Sequence, residues 1–200
     1  MKIGFDIDGV IVDYTASIQQ LLSDKYGITF QQLGVPYINP WNVEAYFPKL
    51  PQTILKDLHS YVCCNLDFVR NCVLRQSILH IINTLHNEGH KLSIVTNRPE
   101  MLLRETMHRL GPFASCFESQ AFYQQEERDY HKVKRCKKLQ LDVLIDDQID
   151  NLTKVAHNSD TKAILFNDEP WLHDVSVDRN HILVANSKTL MPLLQQLKRR

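Results

Sequence analysis

The 200-residue sequence lacks the features that mark several classes of protein. Its charge has no excess of either sign, because 23 lysines and arginines are matched by 23 aspartates and glutamates. A balanced chain gives no electrostatic reason to bind duplex nucleic acid or an anionic membrane surface. Its apolar runs fall far short of the ~20 residues that cross a bilayer, and its start has no apolar signal region of roughly 7–15 residues. We therefore expect a cytoplasmic protein with neither of these partners.

Cysteine is sparse, and its spacing matches no disulfide or metal framework. The sequence has five cysteines, an odd number, and none of them form a C-x-x-C pair. The adjacent Cys63 and Cys64, with Cys72 nearby, leave a metal site open as an alternative, but their surroundings are apolar. Buried, reduced thiols are the simpler interpretation.

The chain does contain short apolar stretches that alternate with amphipathic ones, over a length that suits one domain with a small insertion. Strands are predicted at 2–6, 91–95, 119–123, 142–147, 162–166 and 181–185, and helices at 14–26, 71–87, 99–110, 132–139, 148–157 and 187–198. Strands separated by helices predict an α/β fold, a Rossmann-like parallel sheet with helices on both faces. Residues 28–60 are rich in proline and aromatic side chains, and we expect no regular element of the core there.

Chemically active side chains follow three of the predicted strands at their carboxyl ends, the edge where parallel sheets bind ligands. These residues are Asp6 and Asp8 after the first strand, Thr96, Asn97 and Arg98 after the second, and Asp146 and Asp147 after "DVLI", with Lys132 at a helix start between the last two groups. Carboxylates without thiolate or imidazole partners favour Mg²⁺. Together with a hydroxyl and a lysine, Mg²⁺ would make a receptor for a phosphate.

The stretch "DIDG" at residues 6–9 has a chemical explanation in such a site. Asp6 would attack phosphorus and form an aspartyl-phosphate. Asp8 would protonate the leaving oxygen and then deprotonate the water that hydrolyses the intermediate. Gly9 permits the tight turn that this placement needs.

Each of these residues has a simpler interpretation when it is taken alone. The D-x-D-G stretch is also found in calcium loops, although the last ligand position of such a loop would fall on Ser17, where a glutamate is expected. Thr96 could be a helix N-cap, Lys132 a solvated lysine and the aspartate pair a surface turn. Their joint order and placement favour the phosphate site.

The same residues resemble the four motifs of the haloacid dehalogenase superfamily, in the same order. "FDIDGV" resembles the first motif, "IVTN" the second, Lys132 the third and "DVLIDD" the fourth. The resemblance implies that Asp6, the backbone oxygen of Asp8 and Asp146 hold Mg²⁺, with Asp147 behind them orienting a water or Lys132. The spacing from Lys132 to Asp147, together with "AILFNDEPW", is similar to a 5′-nucleotidase branch related to 5′(3′)-deoxyribonucleotidases.

The resemblance also implies a domain organisation. It covers a catalytic core of residues 1–12 and 75–200, into which a small helical cap, residues 13–74, is inserted. Trp41 and Phe47 of the cap could stack on a base or could form the cap's own core. Arg98 could reach a second anionic group of the substrate or could pair with an acid.

The sequence thus predicts a Mg²⁺-dependent phosphomonoester hydrolase acting on a small phosphorylated metabolite, in particular a nucleotide. A phosphatase for a sugar phosphate is an alternative. A signalling receiver domain also uses acids, a threonine and a lysine, but it carries its paired acids on the first strand, whereas here the pair comes last.

Overall fold

The computed structural model describes residues 1–39, 49–62, 65–123, 131–173 and 175–199. Trp41, Phe47, Cys63 and Cys64 lie outside these ranges. The strands are β1 (Lys2–Phe5), β2 (Val12–Asp13), β3 (Val73–Leu74), β4 (Lys91–Pro99), β5 (Phe117–Tyr123), β6 (Val143–Asp146), β7 (Lys162–Phe166) and β8 (Ile182–Ala185). The helices are α1 (Tyr14–Tyr26), α2 (Phe30–Leu33), α3 (Gln52–Val62), α4 (Leu66–Asn71), α5 (Gln76–Asn87), α6 (Leu103–Leu110), α7 (His131–Leu139), α8 (Ile149–Asn158) and α9 (Leu190–Lys198).

Six parallel strands form the central sheet, in the order β5-β4-β1-β6-β7-β8. Counted along the chain within this sheet, the order is 3-2-1-4-5-6, the doubly wound arrangement of Rossmann-like proteins. A receiver domain has the order 2-1-3-4-5, so the topology rules out that alternative. The order reverses at β1, and ligands in such sheets bind in the crevice at this reversal point.

Helices cover both faces of the sheet, as the sequence predicts. Neighbouring residues along a strand point to opposite faces, and Ile94 and Val95 accordingly belong to two different buried clusters. Side chains of α5 and α9 pack into the first cluster and those of α7 and α8 into the second. Because both faces are buried, the central strands are continuously apolar rather than alternating.

A second, two-stranded sheet brings together the two ends of the segment 13–74. Strands β2 and β3 pair antiparallel, with Val12 opposite Leu74. The backbone N–H of Arg75 continues this pairing by donating to the carbonyl of Ile11 over 2.8 Å. The two chain connections of the segment therefore lie side by side, and its described parts contain α1 to α4.

The structure corrects three boundaries predicted from the sequence. The helix expected over 71–87 is interrupted, because residues 73 and 74 pair with β2, and α5 begins only at Gln76. The helix expected from Pro99 begins at Leu103, because β4 continues to Pro99 and a single 3₁₀ turn follows it. The stretch 28–60, where no regular element of the core was expected, contains α2 and most of α3.

The described cysteines, Cys72, Cys116 and Cys136, are free and buried, as expected. Among the described residues, none of the helices has the length and apolar character to cross a membrane.

Candidate active site

Asp6 lies where β1 leaves the sheet, at the reversal point of the topology. Its backbone N–H still donates to the carbonyl of Ile145 over 2.9 Å, so the residue is held in the register of β6. Its Oδ1 accepts the N–H of Ile7 at 2.7 Å. The side chain is almost fully buried, with 4% of the residue exposed. These contacts leave little rotational freedom to a buried carboxylate.

The turn after Asp6 requires glycine at position 9 for two reasons. Gly9 has φ +75°, in the left-handed region that disfavours other residues. A Cβ atom there would also lie only 2.2 Å from Oδ2 of Asp147. The missing side chain therefore allows the Asp147 carboxylate to pack directly on the backbone of the first loop.

Lys132 connects the first and the last of the motif positions. Its Nζ donates to Oδ2 of Asp6 and to Oδ2 of Asp146, in both cases over 2.6 Å. Burial works against the charge of this ammonium, but the carboxylates of Asp146 and Asp6 outweigh burial and raise the pKa of Lys132. The lysine is thus a fixed cation beside the proposed nucleophile and is not the solvated helix-end residue of the simpler interpretation.

The carboxylates of Asp6, Asp146 and Asp147 form a compact buried cluster. Their oxygens lie within 4.8 Å of one another, and the last two residues are at most 2% exposed. Burial raises the pKa of Asp6 and of Asp147, and the charge of Asp146 adds to both shifts. Both effects disfavour the ionised form of a carboxyl group.

A count of charges in the described site indicates what is needed to balance it. Four carboxylates, with Asp8 as the fourth, face two cations, Lys132 and Arg98. Two negative charges remain, and a divalent cation would neutralise them. The donor atoms are all oxygens, which suits Mg²⁺. The residues therefore fit the magnesium ion that the sequence predicts.

A second group of potential ligands, His157, Asp178 and His181, lies on the surface. Its two imidazole rings stack with their centroids 4.8 Å apart and their planes inclined by 30°. This group contains a single carboxylate, so it lacks the excess of negative charge found in the buried carboxylate cluster.

Thr96 and Asn97 follow the apolar part of β4 beside the carboxylates. Thr96 is buried, with its Oγ1 accepting the N–H of Arg98 at 3.3 Å. Its carbonyl pairs with Nε2 of His131 at 3.2 Å, which places the N–H of the ring on that nitrogen. Asn97 is exposed. His131 was not singled out from the sequence, although it immediately precedes Lys132 and fixes the start of α7 to the strand that carries Thr96.

Arg98 pairs with an acid, one of the two roles that the sequence left open. Its Nε and Nη2 donate to the two oxygens of Asp8 at 2.8 Å and 2.5 Å. Its Nη1 donates to Oγ1 of Thr106 at 3.1 Å. Burial acts against the guanidinium charge, but Asp8 outweighs burial and raises the pKa of Arg98. All three nitrogens of the guanidinium therefore donate hydrogen bonds to other side chains of the protein.

Comparison with solved structures decides the fold. A haloacid dehalogenase-like hydrolase from Streptococcus pneumoniae is 15% identical and superposes with a TM-score of 0.61, covering 97% of this chain and 98% of its own. A predicted phosphatase from Clostridium acetobutylicum is also 15% identical, with a TM-score of 0.61 and 98% coverage of both chains. A haloacid dehalogenase phosphatase from Thermococcus onnurineus is 16% identical, with a TM-score of 0.58, covering 97% of this chain and 98% of its own.

The chain has the haloacid dehalogenase fold. Dehalogenases are among the similar structures as well as phosphatases. Neither the protein-family models nor the curated proteins that were compared give a match to this sequence.

Sequence reasoning missed an ionic cluster that joins the segment 13–74 to the loop after β7. Glu169, in the loop after β7, is 1% exposed and accepts a hydrogen bond from Nη2 of Arg75 at 2.8 Å. It also accepts the backbone N–H of Tyr14 at 2.8 Å and the hydroxyl of Thr15 at 2.7 Å. Arg75 further contacts Asp13 at 3.2 Å. The resemblance had included "AILFNDEPW", and an acid before proline in that stretch was the available signal.

Proposed function

We propose that this protein is a Mg²⁺-dependent phosphomonoester hydrolase that acts through an aspartyl-phosphate at Asp6. The observation that carries the proposal is the surplus of buried carboxylate around Asp6 and Lys132, which calls for a divalent cation and prepares a site for a phosphoryl group. The fold agrees with this assignment because the similar structures include phosphatases. They also include dehalogenases, so the chemistry must be decided by the residues of the site.

The presence of Asp8 favours phosphate esters over halogenated acids. A halide leaves as a stable anion and needs no proton, whereas the alkoxide of a phosphate ester needs a general acid. A phosphoryl group also brings negative charge into the site, and a divalent cation compensates it. A cluster of four carboxylates would repel a phosphate unless it held such a cation.

Each residue of the site has its own role in the proposed mechanism. Asp6 attacks phosphorus, and Lys132 keeps its carboxylate in place while it does so. Thr96 and Asn97 would donate to the phosphoryl oxygens. Asp8 gives a proton to the leaving oxygen and later takes one from the attacking water.

The metal ion would be held by Asp6, the backbone oxygen of Asp8 and Asp146, with Asp147 supporting the set. It would supply charge neutralisation for the phosphoryl group. Asp147 packs against the backbone of Gly9 and accepts the side-chain N–H of Gln148 at 3.2 Å, so its orientation is fixed by the protein.

Within this class we propose a nucleoside 5′-monophosphate as the preferred substrate. The support is the similarity of residues 132–147 to the 5′-nucleotidase branch and the aromatic content of the inserted segment. Another small phosphorylated metabolite, such as a sugar phosphate, is the second candidate.

A phosphate-release screen with Mg²⁺ tests the proposal. The panel contains ribonucleotides, deoxyribonucleotides and sugar phosphates, and a parallel assay measures halide release from 2-haloacids. We expect phosphate release that is lost on chelation and in Asp6→Asn, because an amide does not attack phosphorus. The exposed Asp24→Asn is the matched control and should retain activity. Halide release without phosphate release would contradict the proposal.

A further inference from the structure

We infer that Arg98 is a positioning residue for the acid and base Asp8, and that it holds the Asp8 carboxylate on the leaving-group side of the site. This inference rests on the proposed phosphatase function and deepens it. The sequence alone had left open whether Arg98 contacts an anionic group of the substrate or pairs with an acid.

The first support is the two-point contact between the side chains. Nε and Nη2 of Arg98 address the two oxygens of Asp8 separately, so the contact fixes both the place and the plane of the carboxylate. A single-point contact, such as the one an ammonium makes, would leave the plane free to rotate.

The second support is that Arg98 is itself immobilised. Only 5% of it is exposed, and Nη1 is held by Thr106 of α6, which is 1% exposed. Its guanidinium carbon lies 5.9 Å from the centroid of the Phe68 ring, which contributes a cation–π contact. A side chain held by Thr106 and Phe68 cannot extend toward a substrate, but it can hold the Asp8 carboxylate in a fixed position.

The third support is that Arg98 contacts a residue of the inserted segment. Phe68 belongs to α4, and its ring stacks on Tyr14 of α1 at 5.5 Å between centroids. A continuous line of contacts thus runs from Asp8 through Arg98 and Phe68 to the first residue of α1. The position of the acid is set jointly by β4, α6 and this segment.

The consequence is measured in kcat/KM, which covers the steps up to departure of the leaving group and so excludes the later hydrolysis in which Asp8 acts as the base. A good leaving group departs without much help from an acid, whereas a poor one depends on it. Disturbing Arg98 should therefore slow the hydrolysis of esters with poor leaving groups much more than that of esters with good ones. A merely structural role for Arg98 would slow both alike.

The test compares phenyl phosphate with p-nitrophenyl phosphate, which share a shape but differ in the acidity of the leaving phenol. Arg98→Lys keeps the charge and loses the two-point contact. We expect its kcat/KM to fall about 10- to 100-fold on phenyl phosphate and much less on p-nitrophenyl phosphate. Thr106→Val, which removes only the anchor of Nη1, should shift the same ratio in the same direction by a smaller factor. Arg104→Lys, exposed on the same helix, is the matched control. Equal losses on both substrates in folded Arg98→Lys would overturn the inference.

Crystal structures of the wild type and of Arg98→Lys give a readout that does not depend on activity. We expect the Asp8 carboxylate to adopt a different rotamer in the variant, and an unchanged rotamer would overturn the inference. If the wild type releases phosphate from neither ester, the proposed function fails, and the crystallographic comparison alone then decides the role of Arg98.

Discussion

At the scale of single residues, the site depends on the close approach of a backbone to a carboxylate. Gly9 allows Asp147 to pack against the turn that follows Asp6 and Asp8. The glycine therefore contributes to the site in two ways, through its positive φ and through its missing side chain. These two contributions can be separated experimentally because the chain offers a glycine that has only the first.

Gly9→Ala should weaken Mg²⁺ binding, whereas Gly27→Ala should not. Gly27 also has a positive φ, +63°, but an added Cβ there would meet nothing within 4 Å. The backbone strain alone should lower the free energy of unfolding by about 1–2 kcal/mol in either variant. Only Gly9→Ala must also displace Asp147, and the loss of such a supporting group typically weakens metal binding by about 10- to 100-fold.

Titration calorimetry with Mg²⁺, in the absence of substrate, measures this difference directly. Urea denaturation of the two variants supplies the matched stability comparison. Equal Mg²⁺ affinities for the two variants would show that the contact between Gly9 and Asp147 does not support the metal site.

At the scale of elements, the loop after β7 holds the start of α1 in place. Glu169 accepts from the backbone at the first turn of α1 and from Arg75 just before α5. Burial raises the pKa of Glu169, against the lowering effect of Arg75, so this carboxylate is costly to bury and depends on its partners. A single side chain thus joins three parts of the chain that are distant in sequence.

Glu169→Gln should lower the free energy of unfolding by about 1.5–3 kcal/mol, the usual contribution of a hydrogen bond to a charged group, while Asp13 and Asp168 still face Arg75 at 3.2 Å and 3.6 Å. Urea denaturation measures the change. The pair formed by Lys25 and Asp57 is solvent-exposed at a distance of 2.6 Å, so Asp57→Asn is the control and should have a far smaller effect. Similar losses in both variants would show that the Glu169 cluster adds nothing beyond an ordinary surface pair.

Trp41 and Phe47 should determine which phosphate ester is the preferred substrate. In the proposed mechanism the motif positions bind only the phosphoryl group, which all substrates share, so selectivity would come from elsewhere. A stacking contact with a base is worth roughly 1–3 kcal/mol, and Trp41→Ala or Phe47→Ala should therefore lower kcat/KM for a nucleotide by about 10- to 100-fold. p-Nitrophenyl phosphate should be affected less, and equal losses on the two substrates would assign these rings to the core of the segment.

The extent of prediction from sequence also differs between elements. Buried strands such as β7 were predicted with their observed bounds, because a short apolar run between polar residues allows few alternatives. Strand β3 was missed because its two residues are held by pairing with β2, a contact that periodicity does not encode. The contact between Arg98 and Asp8 was likewise not predicted, because the two residues lie 90 positions apart in sequence and periodicity does not encode their pairing.

At the scale of the whole molecule, a chain with no net charge concentrates negative charge at one edge of its sheet. Three of the four site carboxylates come from the ends of β1 and β6, neighbouring strands at the point where the strand order reverses. The sequence could predict this convergence because parallel strands place their carboxyl ends on one edge. It could not predict the ionic contacts of these carboxylates, since those depend on Arg98 of β4 and Lys132 of α7, which are distant from their partners in sequence.

The most direct test of the account is to trap the phosphoryl group on Asp6. Asp8→Asn lacks the base that activates water, and p-nitrophenol leaves without an acid, so this variant should form the intermediate and hydrolyse it slowly. After acid quenching with Mg²⁺ present, mass spectrometry should find one phosphoryl group on the peptide that contains Asp6. The label should be absent after chelation and in the double variant with Asp6→Asn. Phosphate release by the wild type with no label on this peptide, and with activity retained in Asp6→Asn, would contradict the central claim.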